Sequence, residues 1–134
     1  MTPAQLDEFL QRLLLAVLST QRPDGTLHST PVRFEYEHGT FFFWVGAKSV
    51  KGRNLMRNSE VSACIATQSE PYPYVSASGA CEIEHGDIRE RCLSICRRYY
   101  SEARARAFVA EDLSPGDSRL VLLKPSRLFS EYAA

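Results

Sequence analysis

Several features that would direct a function are missing from this 134-residue sequence. Lysine and arginine together number 16, as do aspartate and glutamate, so the net charge is zero and the whole chain has no bias toward nucleic acid or membranes. The longest apolar run, Leu13–Leu18, is too short to cross a bilayer. The opening MTPAQLDEF carries two acids and no base, so we expect no signal peptide and a cytoplasmic, reducing location.

Metal-ligating residues are few and scattered. The cysteines form no CxxC pair and have no neighbouring paired histidines, and His38 and His85 each precede a glycine, which indicates turns. We therefore expect no metal site. Four positions are predicted to be buried thiols without disulfides: Cys64, Cys81, Cys92 and Cys96.

The chain also lacks a GxSxG nucleophile elbow, a Walker phosphate loop and any internal repeat. What is present begins with a helix, in which Thr2 can act as the cap, Pro3 suits the first position and Gln5 completes a capping box. Its apolar face is expected to hold Leu6, Phe9, Leu10 and Leu13.

Six further segments have the apolar content or the alternation of β-strands, namely LLLAVLST, TLHSTPVRFEYE, TFFFWV, EVSACIAT, YVSASGACEIE and SRLVLLKPSRLF. Two segments before the last strand predict helices, DIRERCLSICRRYY and SEARARAFVAEDL. Mostly antiparallel strands with short turns favour a small closed or partly closed barrel, and we expect one mainly-β domain over residues 1–134. The inward faces of two strands should hold Val32, Phe34 and Tyr36, and Val75, Ala77, Gly79, Cys81 and Ile83.

A basic segment, KSVKGRNLMRN, follows the third predicted strand directly. Ser49 suits an N-cap, and a helix over residues 50–58 would turn Leu55 and Met56 inward. In its first turn Lys51 opposes the helix dipole, and Gly52 costs up to about 1 kcal/mol relative to Ala. A bound phosphate would resolve both conflicts, because it accepts from free backbone N–H groups and a lysine. The alternative is a solvated basic turn.

The stretch TPVRFEYEHGTFFFWVGAKSVKGRNLMRNSEVSACI resembles the core of the pyridoxamine 5′-phosphate oxidase-like split-barrel family. It is similar to the small branch that includes enzymes using the deazaflavin coenzyme F-420, and the resemblance covers roughly residues 6 to 129. It implies a six-stranded antiparallel split β-barrel with flanking helices. It also implies a homodimer, with an FMN or coenzyme F-420 site at the dimer interface.

The resemblance further implies which residues bind the cofactor. Residues 48, 49 and 51 match the phosphate-binding positions, and residues 31–33 and 44–46 match strands beside the flavin ring. The implied set is Pro31, Val32, Arg33, Trp44, Val45, Gly46, Lys48, Ser49, Lys51, Arg53 and Asn54. Tyr72 and Tyr74 are candidates for lining the site across the dimer, or are ordinary packing residues at the start of a strand.

Arg33 departs from the family, which often has an aromatic residue at this position. A cation there could stabilise an anionic reduced flavin, or it could form a salt bridge with Glu35. Both interpretations remain open from the sequence.

The function that the resemblance implies is a flavin-type oxidoreductase acting on a small organic substrate, with no catalytic side chain identified. True pyridoxamine phosphate oxidase activity is not expected, because the chain ends at SEYAA soon after its last strand. The alternative is a non-catalytic flavin or haem carrier. The arginine-rich helical region could also suggest nucleic acid, but interspersed acids predict pairing within the helices, and we expect no nucleic-acid partner.

Overall fold

A computed structural model describes residues 1–84, 86–113 and 116–132, and these form four helices and nine strand segments. In chain order they are α1 (Pro3–Leu10), β1 (Ala16–Gln21), β2 (Leu27–Val32), β3 (Phe34–Glu37), β4 (Thr40–Gly46), α2 (Val50–Arg57), β5 (Glu60–Ala66), β6 (Tyr74–Ala80), β7 (Glu82–Glu84), α3 (Arg89–Arg97), α4 (Glu102–Leu113), β8 (Ser118–Leu123) and β9 (Arg127–Glu131). None of the four described helices has the length and apolar character that a membrane span requires.

The strands form two antiparallel sheets, ordered β2-β1-β5-β6-β9 and β3-β4-β8-β7. Three of the six predicted strands are each broken into two segments that belong to different sheets. The breaks fall at Arg33, at Cys81 and around Pro125. Each of the six predicted strands is present as a continuous extended stretch of chain. Three of these stretches bend from one sheet into the other, which gives nine strand segments.

Two of the bends support each other. The amide of Ser126 donates to the carbonyl of Ser78 at 3.0 Å, and a Cβ at Gly79 would lie 3.0 Å from the Ser126 nitrogen. Gly79 thus permits the close approach of two backbones. Pro125 lacks an N–H group, so it cannot continue the ladder and suits the break between β8 and β9.

The main core lies between the sheets, and a second core lies between the four-stranded sheet and helices α3 and α4. The predicted alternation is confirmed: Phe34 and Val75 are fully buried, and the other predicted inward positions are buried or pack on the core. The predicted capping box of α1 is also present, with the Thr2 hydroxyl accepting from the Gln5 amide.

Three predicted burials are wrong, those of Leu13, Cys64 and Met56, and Met56 is described below with α2. Leu13 is 67% exposed because α1 ends at Leu10, so the next turn does not continue its apolar face. Cys64 is exposed because it lies on the outer face of β5, whereas the other three cysteines are buried. His38 adopts a left-handed turn conformation, with φ of 51°, as expected before Gly39. The turn predicted at His85 falls outside the described residues.

The bend between β2 and β3 is held by the end of α3. Arg98 donates to the carbonyls of Phe34, of Leu10 at 3.2 Å and of Arg12 at 2.9 Å. The Tyr99 hydroxyl accepts from the Phe34 amide at 3.2 Å and donates to the Leu14 carbonyl at 2.6 Å. Two consecutive side chains therefore satisfy the backbone groups that this strand break would leave unpaired.

We expect Arg98→Lys to destabilise the fold by about 1–3 kcal/mol, because an ammonium group cannot reproduce a planar fork shared among three carbonyls. Arg106→Lys is the matched control, since Arg106 is 62% exposed and pairs with Glu102 on the surface. Such pairs contribute about 0–1 kcal/mol. Urea unfolding measures both, and equal losses of stability would contradict the role given to Arg98.

Candidate functional site

A cavity of about 710 Å³ opens beside the β2–β3 bend, between the end of β4, the start of β8 and the helices α3 and α4. This volume falls within the range of about 300–1,000 Å³ that is typical of small-molecule sites. Seven of the predicted cofactor-binding residues line it: Pro31, Val32, Arg33, Trp44, Val45, Gly46 and Lys51.

Helix α2 begins at the mouth of this cavity with the predicted cap. The Ser49 hydroxyl accepts from the Gly52 amide at 3.0 Å and donates to the Gly46 carbonyl at 2.7 Å. Among the described residues, the amides of Val50 and Lys51 have no hydrogen-bond acceptor. Two free N–H groups at the positive end of a helix, next to a lysine that lines the cavity, are suited to hold an anion.

Gly52 has a different role from the one its sequence context suggested. A Cβ on this residue would lie 2.0 Å from the Gly46 carbonyl oxygen, far inside van der Waals contact. The glycine is therefore required for α2 to pack against the end of β4. Its poor helix propensity is explained by this contact, without a ligand approaching the backbone.

Asn54 turns inward where Met56 was expected to do so. Asn54 is 3% exposed and donates from Nδ2 to the Thr20 hydroxyl at 3.1 Å, whereas Met56 is 52% exposed. Leu55 is buried as predicted. On the inward face of α2, Asn54 thus forms a hydrogen bond to β1. Asn54 does not line the cavity, although the resemblance implied that it binds the cofactor.

Four other predicted residues also lie outside the cavity lining, and one of them is the cap residue Ser49. The Lys48 ammonium is 3.4 Å from a carboxylate oxygen of Asp117, which itself lines the cavity. Arg53 is exposed on α2. Tyr74 lies on the outer face of β6, with its ring 6.0 Å from that of Phe129, as in the packing interpretation. A role for Tyr74 across a dimer interface stays a prediction.

The salt bridge considered between Arg33 and Glu35 is absent from the described residues. Glu35 instead accepts from Arg91 at 2.5 Å and from the Ser94 hydroxyl at 2.8 Å. Arg33 donates to the Tyr100 hydroxyl, and its guanidinium lies 4.9 Å from the Tyr100 ring centre. Of the two interpretations left open for Arg33, the salt bridge is therefore not formed, because α3 brings Arg91 to Glu35 instead.

Sequence reasoning missed the wall that the last two helices contribute. Besides strand residues, the cavity is lined by Ile95 and Cys96 of α3, Phe108, Glu111 and Asp112 of α4, and Asp117 and Ser118 at the start of β8. Arginines are the most conspicuous residues of this segment in the sequence. The helical spacing of Phe108, Glu111 and Asp112 is the signal that places these three residues on one face of α4.

The two buried thiols of α3, of which Cys96 lines the cavity, are not activated. Burial raises the pKa of Cys96, a change that Arg33 opposes and Asp112 reinforces. Burial likewise raises the pKa of Cys92 to about 12. Both side chains are therefore neutral thiols at physiological pH, so the site has no thiolate nucleophile among them. Among the described residues, no cluster of three His, Cys, Asp or Glu side chains could hold a metal ion.

The composition of the cavity fits a planar ring that carries a phosphate. Apolar strand residues and the Trp44 and Phe108 rings, which pack edge to face with centres 5.5 Å apart, supply apolar walls. Lys51 in this lining, together with the free amides at the start of α2, supplies anion-binding groups. Cofactor sites have this pattern of apolar walls with a few placed polar groups.

Comparison with known proteins identifies the family. Residues 2–131 match the sequence profile of pyridoxamine 5′-phosphate oxidase, and the chain belongs to this family. Among curated proteins, none matches the sequence significantly.

Solved structures share the fold. A conserved hypothetical protein, Rv2991, from Mycobacterium tuberculosis is 26% identical, with a TM-score of 0.81 over 97% of this chain and 84% of that one. An F420 reductase is 24% identical, with a TM-score of 0.75 over 92% and 94%. HutZ, the heme storage protein from Vibrio cholerae, is 15% identical, with a TM-score of 0.77 over 98% and 96%. The split-barrel fold is thus confirmed.

We expect Gly52→Ala to destabilise the protein by about 1–3 kcal/mol, because the added methyl group overlaps the Gly46 carbonyl. Helix propensity alone predicts the opposite, a gain of up to about 1 kcal/mol. Arg53→Ala, at the next and exposed position, should be nearly neutral. Chemical denaturation distinguishes the two expectations by sign, and a stabilised Gly52→Ala protein would rule out the packing explanation.

Proposed function

We propose that the protein binds a flavin-type cofactor, FMN or coenzyme F-420, in the cavity and acts as an oxidoreductase on a small organic substrate. The observation that carries this proposal is that Lys51, beside two free amides at the start of α2, lines a cavity that also presents apolar strand residues and the Trp44 and Phe108 rings. Membership of the family supports it.

The bound cofactor would supply the transfer of a hydride, so no catalytic nucleophile is needed from the chain. The chain's residues would bind, orient and exclude water. Lys51 and the amides of Val50 and Lys51 would hold the phosphate, and the strand residues at positions 31–33 and 44–46 would contact the ring. Lys48 would act at longer range, because it already pairs with Asp117.

A second function, non-catalytic binding of a flavin or haem, is suggested by the likeness to a heme storage protein. That likeness is at 15% identity and concerns the fold. Neither His28 nor His38 lines the cavity, whereas Lys51 does. These features favour a phosphate-bearing cofactor over haem. Turnover by the loaded protein, with reduced cofactor consumed when substrate is added, would distinguish an enzyme from a carrier.

The arginine-rich helices are a weaker candidate for a binding site. Arg97 and Arg106 both pair with Glu102, in each case at 2.7 Å, and Arg91 pairs with Glu35 and Glu37. These pairs neutralise much of the positive charge of the arginine-rich helices, so this surface is a poor candidate for binding nucleic acid. The small-molecule site in the cavity is the better-supported proposal.

We also propose that the protein is a homodimer, formed through the outer face of the five-stranded sheet. The centre of this face holds small and apolar side chains without charge, because neighbouring strands align Val17, Cys64, Ser76 and Phe129 across it. Several of its apolar residues are exposed in one chain: Val17 is 43% and Phe129 is 56% exposed. Exposed apolar patches of this kind favour self-association.

Lys51→Ala should weaken binding of FMN or coenzyme F-420 by about ten- to a hundred-fold, since a charge-assisted phosphate contact contributes about 1.5–3 kcal/mol. Lys124→Ala removes an exposed lysine outside the cavity lining and should leave affinity unchanged. Fluorescence titration with each cofactor measures the dissociation constants and also identifies the preferred cofactor. Equal cofactor affinities in the two variants would contradict the phosphate site and support the alternative that the basic segment is a solvated turn.

Light scattering should give twice the 15.1 kDa mass of one chain. Ser76→Arg, which places a charge at the centre of the proposed interface, should shift the protein toward monomer, because a charge buried without a partner is costly. Ala103→Arg adds the same charge to an exposed position on α4 and should remain dimeric. A wild-type monomer that binds the cofactor tightly would contradict the dimer proposal while leaving the site intact.

A further inference from the structure

Arg33 is a half-buried cation without a carboxylate partner among residues 1–84, 86–113 and 116–132. Buried arginines are usually paired with an acid. The carboxylate nearest in sequence, Glu35, is occupied by Arg91 and Ser94. Three acids line the same cavity, yet none of Glu111, Asp112 and Asp117 forms a salt bridge with Arg33. Its positive charge is therefore not cancelled by a neighbouring acid.

Aromatic residues hold the guanidinium instead. It lies 4.9 Å from the Tyr100 ring centre and 5.2 Å from that of Phe108, and it also donates to the Tyr100 hydroxyl. The two rings are stacked with centres 5.8 Å apart, and Trp44 packs edge-on against Phe108 at 5.5 Å. Cation–π contacts stabilise and orient a cation without neutralising it. The group is thus fixed in position and retains its charge.

We propose that Arg33 is a second anion-recognition site of this cavity, distinct from the phosphate site at Lys51, and that it binds a planar, delocalised anion. A guanidinium is suited to this ligand because its rigid fork of donors matches two oxygen or nitrogen acceptors in one plane. Tyr100 and Phe108 are positioning residues, since they contact Arg33 and set the direction of its donors. This proposal rests on the proposed function, because one of the two possible anions is the ring of the bound cofactor.

The anion could come from either of two sources with the same chemistry. One is the negative charge that a flavin-type ring gains on reduction, which spreads over ring nitrogen and oxygen atoms. The other is a carboxylate on the substrate. Both are planar and delocalised, so Arg33 is expected to recognise either, and the experiment separates them.

The first arm loads the protein with FMN, reduces it chemically and titrates the absorbance of the reduced flavin with pH. If the ring is the anion, Arg33→Gln should raise the pKa of the reduced flavin by about one pH unit or more, which is a tenfold change in proton affinity. Arg33→Lys, which keeps the charge but not the fork, should give a smaller shift. Tyr100→Phe should shift it in the same direction, because it frees the guanidinium to move.

The second arm uses benzoate as a planar carboxylate probe on the protein with and without FMN, followed by the NMR shift of the indole N–H of Trp44, which lines the same cavity and is retained in every variant. If the substrate is the source, Arg33→Gln should weaken benzoate binding by about tenfold or more. Arg104→Gln is the matched control for both arms. It removes an exposed cation that lies over the same Tyr100 ring at 4.4 Å but does not line the cavity.

A change in either arm that Arg104→Gln does not reproduce supports the proposal and names the source. Unchanged flavin pKa and unchanged benzoate affinity in folded Arg33→Gln protein would overturn it. Should wild-type protein bind neither FMN nor coenzyme F-420, the proposed function fails, and the benzoate arm on the unloaded protein still decides whether Arg33 binds anions.

Discussion

The structure depends on the bend at residues 33 and 34, where the chain leaves one sheet and enters the other. A strand that changes sheets leaves backbone groups unpaired, and here the Phe34 amide and carbonyl are satisfied by Tyr99 and Arg98. The same two side chains also bind the carbonyl of Leu10 at the end of α1 and that of Leu14 in the segment that follows, so they join three parts of the fold. The next residue, Tyr100, holds Arg33. Because the candidate cavity opens at this bend, the interactions that close the fold also shape the site.

The polarity of the cavity follows from which elements meet around it. The strand ends supply apolar walls, the start of α2 supplies Lys51 and free amides, and α4 supplies the acids Glu111 and Asp112. Arg33 lies among aromatic rings at the bend, which leaves its charge uncancelled. A planar cofactor with a phosphate at one end matches this distribution. The exposed acids Glu111 and Asp112 add negative charge near the same opening. This charge weakens the attraction of anions to the cavity, except at Lys51 and Arg33.

Local signals in the sequence predicted local structure well. The capping box at Thr2 and the cap at Ser49 depend on residues three positions apart, and strand alternation fixed the inward faces. Features that depend on distant residues were not predictable in the same way. The Asn54 side chain is pinned by Thr20, 34 positions earlier, and Arg33 is held by Tyr100, 67 positions later. Sheet switching was missed for the same reason, since a continuous strand pattern does not reveal where its partners change. The family resemblance identified the cavity residues at positions 31–33, 44–46 and 51. The lining residues that α3 and α4 contribute were identified only from the structure.

The central claim is that the start of α2 binds the phosphate of a flavin-type cofactor. Amide hydrogen exchange tests this claim most directly, because it reports on the individual N–H groups that would contact the phosphate. On addition of FMN or coenzyme F-420, protection should rise over residues 50–55, and it should rise more there than in β5, which is already paired on both sides. Exchange that is slow in the free protein over residues 50–55 and unchanged by either cofactor would contradict the claim.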